Sequence, residues 1–272
     1  MGVKIGVCNE ALPGVGVFAP RIVSELGLDG MQIEMGTELH GYPISQKKIQ
    51  KYYLDEQQKY GIEYPCIGMS DLDFHPIHSK PGTPMYDFVK KMMVTAVDAA
   101  AAMEIPVIMV CCFEQSLIRT DEELERAAKM IRYACDLAGE KGVTVGWETP
   151  LEEKKTRQLL DLVDRKNIGV FYDSQNYKYD SGLEPVAELE KIYDLLIPML
   201  HVKDGVDSKS DHLLGTGNTD FFGQMEVLRK HKYSGWIISE NYYDRVGLRD
   251  MDSDWFVTLK KDIEIIRRVI DW

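Results

Sequence analysis

The segment TDEELERAAKMIRYACDLAGEKGVTVGWETP, residues 120–150, contains one complete unit of the fold. Thr120 followed by Asp121-Glu122-Glu123 is a helix start, with a hydroxyl able to accept from first-turn amides and acidic groups at the positive end of the helix dipole. Leu124, Ala127, Ala128, Ile131, Tyr133 and Leu137 then recur at helical spacing. Gly142 supplies a left-handed residue that stops the helix. Thr144-Val145-Gly146-Trp147-Glu148 follows, a short β-rich apolar run closed by a carboxylate.

The same unit recurs in both directions. Apolar runs occupy Lys4–Val7, Met31–Glu34, Ile62–Gly68, Pro106–Cys112, Thr144–Glu148, Ile168–Tyr172, Met199–Val202 and Trp236–Ser239. Helical periodicity lies between them, as in Met92, Thr95, Ala96, Ala99, Ala100 and Met103, and a last stretch from Phe256 to Ile270 closes the chain. Gly27 and Gly61 repeat the stop signal of Gly142. Helical crossovers return each strand in the same direction, so the expectation is an α/β fold, a single-domain (β/α)8 TIM barrel spanning residues 1–272. An open doubly wound sheet has fewer strands and a Gly-rich first turn. Gly14 and Gly16 follow Pro13, but no third glycine stands at the fingerprint spacing.

Composition narrows the partners. With 44% hydrophobic and 28% charged residues, the chain has an ordinary globular balance. A formal net charge of -12 argues against nucleic acid, whose backbone is bound through Lys and Arg. A small molecule fits better, and no membrane partner is expected. Met1 leads almost directly into Val3–Val7 without a basic and apolar leader, and the five cysteines, Cys8, Cys66, Cys111, Cys112 and Cys135, form no Cys-x-x-Cys framework. Reduced, buried thiols and a cytoplasmic location are the expectation. Cys66, Cys111 and Cys112 fall on expected strands and Cys8 directly follows one, and alternation lets only one of Cys111 and Cys112 point inward.

Barrel chemistry gathers at the C-terminal ends of strands. The last four runs end in Glu148, Asp173, His201 and Glu240, spaced 25, 28 and 39 residues apart, about one strand-helix unit each. Taken alone, Asp173 reads as a helix cap and His201 as a core histidine. Together, three carboxylates and an imidazole on adjacent strand ends would be costly to bury without a cation. They form an oxygen and nitrogen site suited to Mn2+, Co2+ or Mg2+, with Zn2+ as a further option, and a net charge near minus one when loaded.

On Glu148, Tyr172-Asp173, His201-Val202-Lys203-Asp204, Gly215-Thr216-Gly217-Asn218-Thr219-Asp220 and Glu240, the chain resembles the xylose-isomerase-like barrel superfamily of sugar isomerases and epimerases. The resemblance implies one divalent metal held by Glu148, Asp173, His201 and Glu240, with Glu148 and Glu240 as the proton-transferring pair. Such a metal would acidify the hydrogen beside a substrate carbonyl and stabilise the enediolate. Two departures stand out. Ketose epimerases of this group carry a histidine three residues after the strand-six aspartate, where this chain has Asn176, and no asparagine follows Glu148 within Thr149-Pro150-Leu151-Glu152.

Further mouth residues are candidate sugar contacts: Asn176, Lys203, Asp204, His212, Glu10, Ser70 and His75, with Glu34, Asp71 and Glu114 nearby in sequence. Lys203 and His212 read equally well as solvated loop charges. Gly215-Thr216-Gly217 reads first as a turn into a capped helix, and second as a phosphate cradle. Trp147 and Phe113 read as packing residues. The leading expectation is an isomerase or epimerase of a sugar or cyclitol. Its nearest rival is a lyase acting on a keto sugar or cyclitol, in the manner of an inosose dehydratase or a C-glycoside deglycosidase subunit. A DNA-repair endonuclease needs more histidines than the six present. A non-catalytic metal- or sugar-binding subunit is the remaining alternative. Relatives pair through the mouth, so a homo-oligomer is expected, with a hetero-oligomer as the alternative.

Overall fold

The computed structural model describes residues 2–13 and 16–270. Met1 and Gly14, which entered the leader and nucleotide-fingerprint readings, lie outside the described residues. The strands are β1 (Lys4–Cys8), β2 (Gly30–Glu34), β3 (Cys66–Gly68), β4 (Val107–Cys111), β5 (Thr144–Glu148), β6 (Ile168–Asp173), β7 (Leu196–Val202) and β8 (Trp236–Ser239). They form a closed parallel barrel in chain order. The helices among the described residues are α1 (Ala19–Glu25), α2 (Lys47–Tyr60), α3 (Pro84–Ala102), α4 (Asp121–Gly139), α5 (Glu153–Val163), α6 (Ser174–Ser181), α7 (Pro185–Ile192), α8 (Phe221–Lys230) and α9 (Trp255–Val269). None is long and apolar enough to cross a membrane.

Contacts concentrate in two compact units. The first comprises Met1–Gln32, Glu56–Glu63 and Tyr172–Trp272. Within it β1 pairs with β8, Lys4 opposite Trp236 and Val7 opposite Ser239, and β7 pairs with β8, His201 opposite Ile238. Val7, Met31, Leu200, Phe221, Leu228, Ile237 and Ile238 are buried there. The second comprises Ile33–Asp55 and Tyr64–Phe171. Its β3, β4 and β5 pair in sequence, with Cys66 opposite Val107 and Cys111 opposite Glu148. Ile67, Ile108, Val110, Ala96, Ile131, Val145 and Trp147 fill its interior.

Local signals behave as their chemistry dictates. The Thr120 side chain accepts from the Glu123 amide while the Glu123 carboxylate accepts from the Thr120 amide, a reciprocal cap on α4. Gly27, Gly61 and Gly142 take φ of 65°, 66° and 70°, the left-handed conformation that a side chain resists. All five cysteines are buried, and none is joined in a disulfide. Cys112 lies one residue past β4 rather than on it, and its thiol donates to the Ser116 carbonyl at 2.9 Å.

Boundaries differ from expectation by more than one residue at two strands. The run Ile62–Gly68 yields only Cys66–Gly68, because Pro65 has no amide to donate and Glu63 makes only an isolated bridge to Gly30. β7 starts at Leu196, before the expected Met199. A further difference follows β6, where two short helices, α6 and α7, replace one.

Asp262 of α9 ties the helix to the barrel mouth. Its carboxylate accepts from the Leu214 amide at 2.9 Å, the Asn241 side chain at 2.7 Å and the Tyr243 hydroxyl at 2.9 Å. Burial still pushes its carboxyl up to about 6, although these donors favour the charged form. The folded-state value exceeds the unfolded 3.8, so the associated stability is fully present below 3.8 and is lost as pH rises through about 6. The stability difference between the native protein and Asp262→Asn should therefore grow in favour of the native protein by about 2 kcal/mol from pH 7 to pH 4.5. Denaturant unfolding at the two pH values measures it, and a pH-independent difference would contradict the assignment.

Candidate metal centre

Asp173 is both the last residue of β6 and the N-cap of α6. Its Oδ1 accepts from the Asn176 amide at 2.9 Å, so the capping role is real for one oxygen. The other oxygen turns to the neighbouring strand, with Oδ2 3.1 Å from Lys203 Nζ and 3.8 Å from His201 Nδ1. His201 and Lys203 are two apart on β7 and its extension, so alternation points both into the same interior. Glu240 follows β8, its amide donating to the Val202 carbonyl at 3.0 Å. Its Oε2 lies 2.6 Å from Lys203 Nζ and 3.2 Å from His201 Nδ1.

Within the first unit Asp173, His201 and Glu240 each offer a ligand atom, and these atoms all lie within 4.8 Å of one another, while Glu148 ends β5 in the second unit. All four residues are buried. Asp173 and Glu240 carry two formal negative charges and the Lys203 ammonium beside both offsets one. The remaining negative charge favours a cation, and the oxygen and imidazole donors are those that hard and borderline divalent ions take. Lys203 adds a positive charge beside Asp173 and Glu240 that the ligand sum of minus one does not include. Lys203 is also no solvated loop charge: it is 4% exposed and forms ion pairs with two of the acidic groups. Burial opposes ionisation of Glu240, yet the Lys203 ammonium and His201 outweigh it and hold the carboxyl well below the usual range.

Further side chains complete the surroundings. His201 Nε2 lies 2.9 Å from Gln32 Oε1 and 3.4 Å from Cys8 Sγ, and Cys8 is opposite Gln32 in the β1–β2 register. Burial pushes the Cys8 thiol far up, which keeps it protonated. The Tyr242 hydroxyl donates to Glu10 Oε1 at 2.8 Å and stands 3.4 Å from Glu240 Oε1. Burial, then the Glu240 charge, raise the Glu10 carboxyl. Gln32 and Tyr242 were missed in the sequence. An amide in the middle of Met31-Gln32-Ile33 was the available signal for the first, while Tyr242 has none beyond following Glu240 by two.

Asp204 is not available to a ligand. It is fully buried, and its carboxylate accepts from the amides of Gly205, Gly215, Gly217 and Thr219 and from the Thr219 hydroxyl at 2.9–3.3 Å. The glycine segment is therefore a cradle, but the anion inside it is the chain's own aspartate. A Cβ at Gly217 would stand 2.2 Å from Asp204 Oδ1, so this position requires glycine. Asp220 caps α8 through the Gly223 amide, as the turn reading expects.

His212 is half-buried, its Nδ1 2.7 Å from Asp211 Oδ1. Against the effect of burial, His212 and the amides of Val206, Ser208 and Asp207 hold the Asp211 carboxyl down at about 2. Asn176 is buried in the first turn of α6. In the second unit, the Ser70 hydroxyl donates to Glu34 Oε2 at 2.9 Å, and His75 Nδ1 lies 2.8 Å from the Asp71 carbonyl. Asp71 Oδ2 accepts from the Tyr42 hydroxyl at 2.8 Å and the Glu38 amide at 3.0 Å, tying the segments after β2 and β3. Trp147 and Phe113 are packing residues, 0% and 7% exposed.

Residues 20–269 match the model of the xylose isomerase-like TIM barrel family, and the chain belongs to that family. It is 23% identical over 272 residues to a 2-epi-5-epi-valiolone 7-phosphate 2-epimerase of Actinoplanes sp., covering 98% of this chain and 95% of the relative. It is 26% identical over 160 residues to an inosose dehydratase of Glaesserella parasuis, covering 48% of this chain and 52% of that protein. Among solved structures, D-allulose 3-epimerase from Methylomonas sp. superposes with a TM-score of 0.77 at 16% identity, covering 98% of each chain.

The loop after β7 generates a prediction. Asp204→Asn replaces one acceptor oxygen by an amide NH2, a donor that faces N–H donors, leaving buried groups unpaired. Hydrogen exchange at the amides of Gly215, Gly217 and Thr219 should quicken by about tenfold or more. Unchanged protection would show that the carboxylate does not order this loop.

Proposed function

We propose that the protein is a divalent-metal-dependent epimerase or isomerase of a keto sugar or cyclitol, with residues 1–272 acting as a single domain. The observation that carries the reading is the buried convergence of Asp173, His201 and Glu240 at the ends of β6, β7 and β8, with an excess of negative charge that a cation would offset, and Glu148 is proposed as the fourth ligand. The epimerase names of the valiolone phosphate and allulose enzymes support the reaction class.

The four residues would hold Mn2+, Co2+, Mg2+ or Zn2+. The bound ion would polarise the substrate carbonyl and acidify the hydrogen on the adjacent carbon. Glu148 and Glu240 are the acid/base pair: one carboxylate removes the proton and the other returns it. Return to the opposite face of the same carbon inverts it, and return to the neighbouring carbon isomerises the sugar. Lys203 keeps Glu240 ionised, and therefore able to accept, at neutral pH. Tyr242 steadies Glu240 and Glu10 together. Glu10, Asn176, His212, Ser70 and His75 are the proposed sugar contacts, and Lys203 assists through Glu240. The expected setting is a cytoplasmic homo-oligomer.

The partial likeness to inosose dehydratase favours a second reading, in which the same abstracted proton leads to loss of a β leaving group. One experiment separates the two. With Mn2+ in D2O, the epimerase reading expects deuterium beside the carbonyl of a converted ketose. The lyase reading expects an unsaturated product from an inosose or a 3-keto glycoside. Glu148→Gln and Glu240→Gln should each lower turnover about 10²- to 10⁴-fold, measured by product formation. If the metal-loaded protein gives neither deuterium uptake nor elimination across the panel, proton-transfer chemistry is ruled out.

A further inference from the structure

Gln32 is fully buried on β2 between Met31 and Ile33, which are also fully buried. Its Oε1 lies 2.9 Å from His201 Nε2, within hydrogen-bond distance. An amide oxygen only accepts, so this contact requires a hydrogen on Nε2. In the neutral ring the lone pair then falls on Nδ1. Nδ1 is the nitrogen that faces the acidic groups, 3.2 Å from Glu240 Oε2 and 3.8 Å from Asp173 Oδ2.

That arrangement has a cost that points to its purpose. A bare lone pair on Nδ1 facing carboxylate oxygens is an acceptor facing acceptors, and it is relieved only by a proton or a cation between them. The alternative tautomer would place the hydrogen on Nδ1, where it could donate to Glu240 but would block a metal. Cys8 also touches Nε2, at 3.4 Å, and a protonated thiol donating there would favour this blocking tautomer. Gln32 and Cys8 thus meet the same nitrogen with opposite preferences, and the shorter contact belongs to Gln32.

We infer that Gln32 is a positioning residue that fixes the His201 tautomer, holding the hydrogen on Nε2 so that Nδ1 presents its lone pair as a metal ligand. The inference rests on the metal reading above and adds to it a residue that touches neither metal nor substrate. Groups that orient a metal-binding histidine through its other nitrogen are worth about 10- to 100-fold in metal affinity. Gln32→Leu replaces the acceptor by an apolar side chain of similar volume. Gln32→Glu keeps an acceptor at the same place.

Calorimetric titration of the purified protein with Mn2+ should show affinity falling about 10- to 100-fold in Gln32→Leu and staying within about threefold of the native value, or tightening, in Gln32→Glu. Nitrogen-15 NMR of the histidine rings, with and without diamagnetic Zn2+, reads the tautomer directly, the His201 signals being assigned by their loss in His201→Ala. A protonated Nε2 in both states, and an unprotonated Nδ1 in the loaded state, is expected. Native affinity in Gln32→Leu, or a ring with hydrogen on Nδ1 and none on Nε2, overturns the inference while leaving metal binding by the native protein intact. Failure of the native protein to bind Mn2+ or Zn2+ overturns the metal reading and this inference with it.

Discussion

Closure of the sheet is the constraint on which the rest depends. Parallel strands related by helical crossovers could end as an open sheet, with the first and last strands at opposite edges. Here the pairing of β1 with β8, from Lys4 opposite Trp236 to Val7 opposite Ser239, joins those edges. Residues at the two ends of the chain become neighbours as a result. The Glu10 carboxylate meets the Tyr242 hydroxyl, and the Cys8 thiol meets the His201 ring. Neither contact spans a short stretch of sequence, and neither would survive if the two edge strands were left unpaired.

Closure also creates an electrostatic problem in the interior. Carboxylates from separate strand ends are brought out of water, where unpaired charge is expensive. Two neighbouring residues answer it in different ways. Lys203 points inward and neutralises part of the cluster from within. Asp204, next in the chain, turns away and is satisfied by the backbone amides of the 205–219 loop and the Thr219 hydroxyl. A period-two alternation at a strand end thus separates a member of the acidic centre from the anchor of the loop beside it. The glycines that resemble an anion cradle do bind an anion, but it is one the chain supplies itself.

Strand periodicity, glycine stops and capping residues were legible because each is a property of a few consecutive residues. Thr120, Gly142 and the run from Thr144 to Glu148 depend on local backbone energetics, so reading one unit gave the rest by repetition. The third strand was over-extended because Ile62 and Tyr64 are apolar, while the missing amide of Pro65 limits the ladder. Glu148, Asp173, His201 and Glu240 were legible as strand-terminal ionisable groups. Their mutual distances were not, since these depend on strand register.

What the sequence by itself determined is the alternation of strand and helix and the polar residue that ends each of the last four strands, because hydrophobic period and local turn chemistry are written in short windows. Only the tertiary structure decided that Lys203 lies inside the acidic group, that Asp204 occupies the glycine loop, and that Gln32 meets the far nitrogen of His201. Those facts depend on which groups face one another across 11, 13, 37 or 169 positions of chain. Burial then turns that proximity into strong interaction, and neither the proximity nor the burial is a property of a short window.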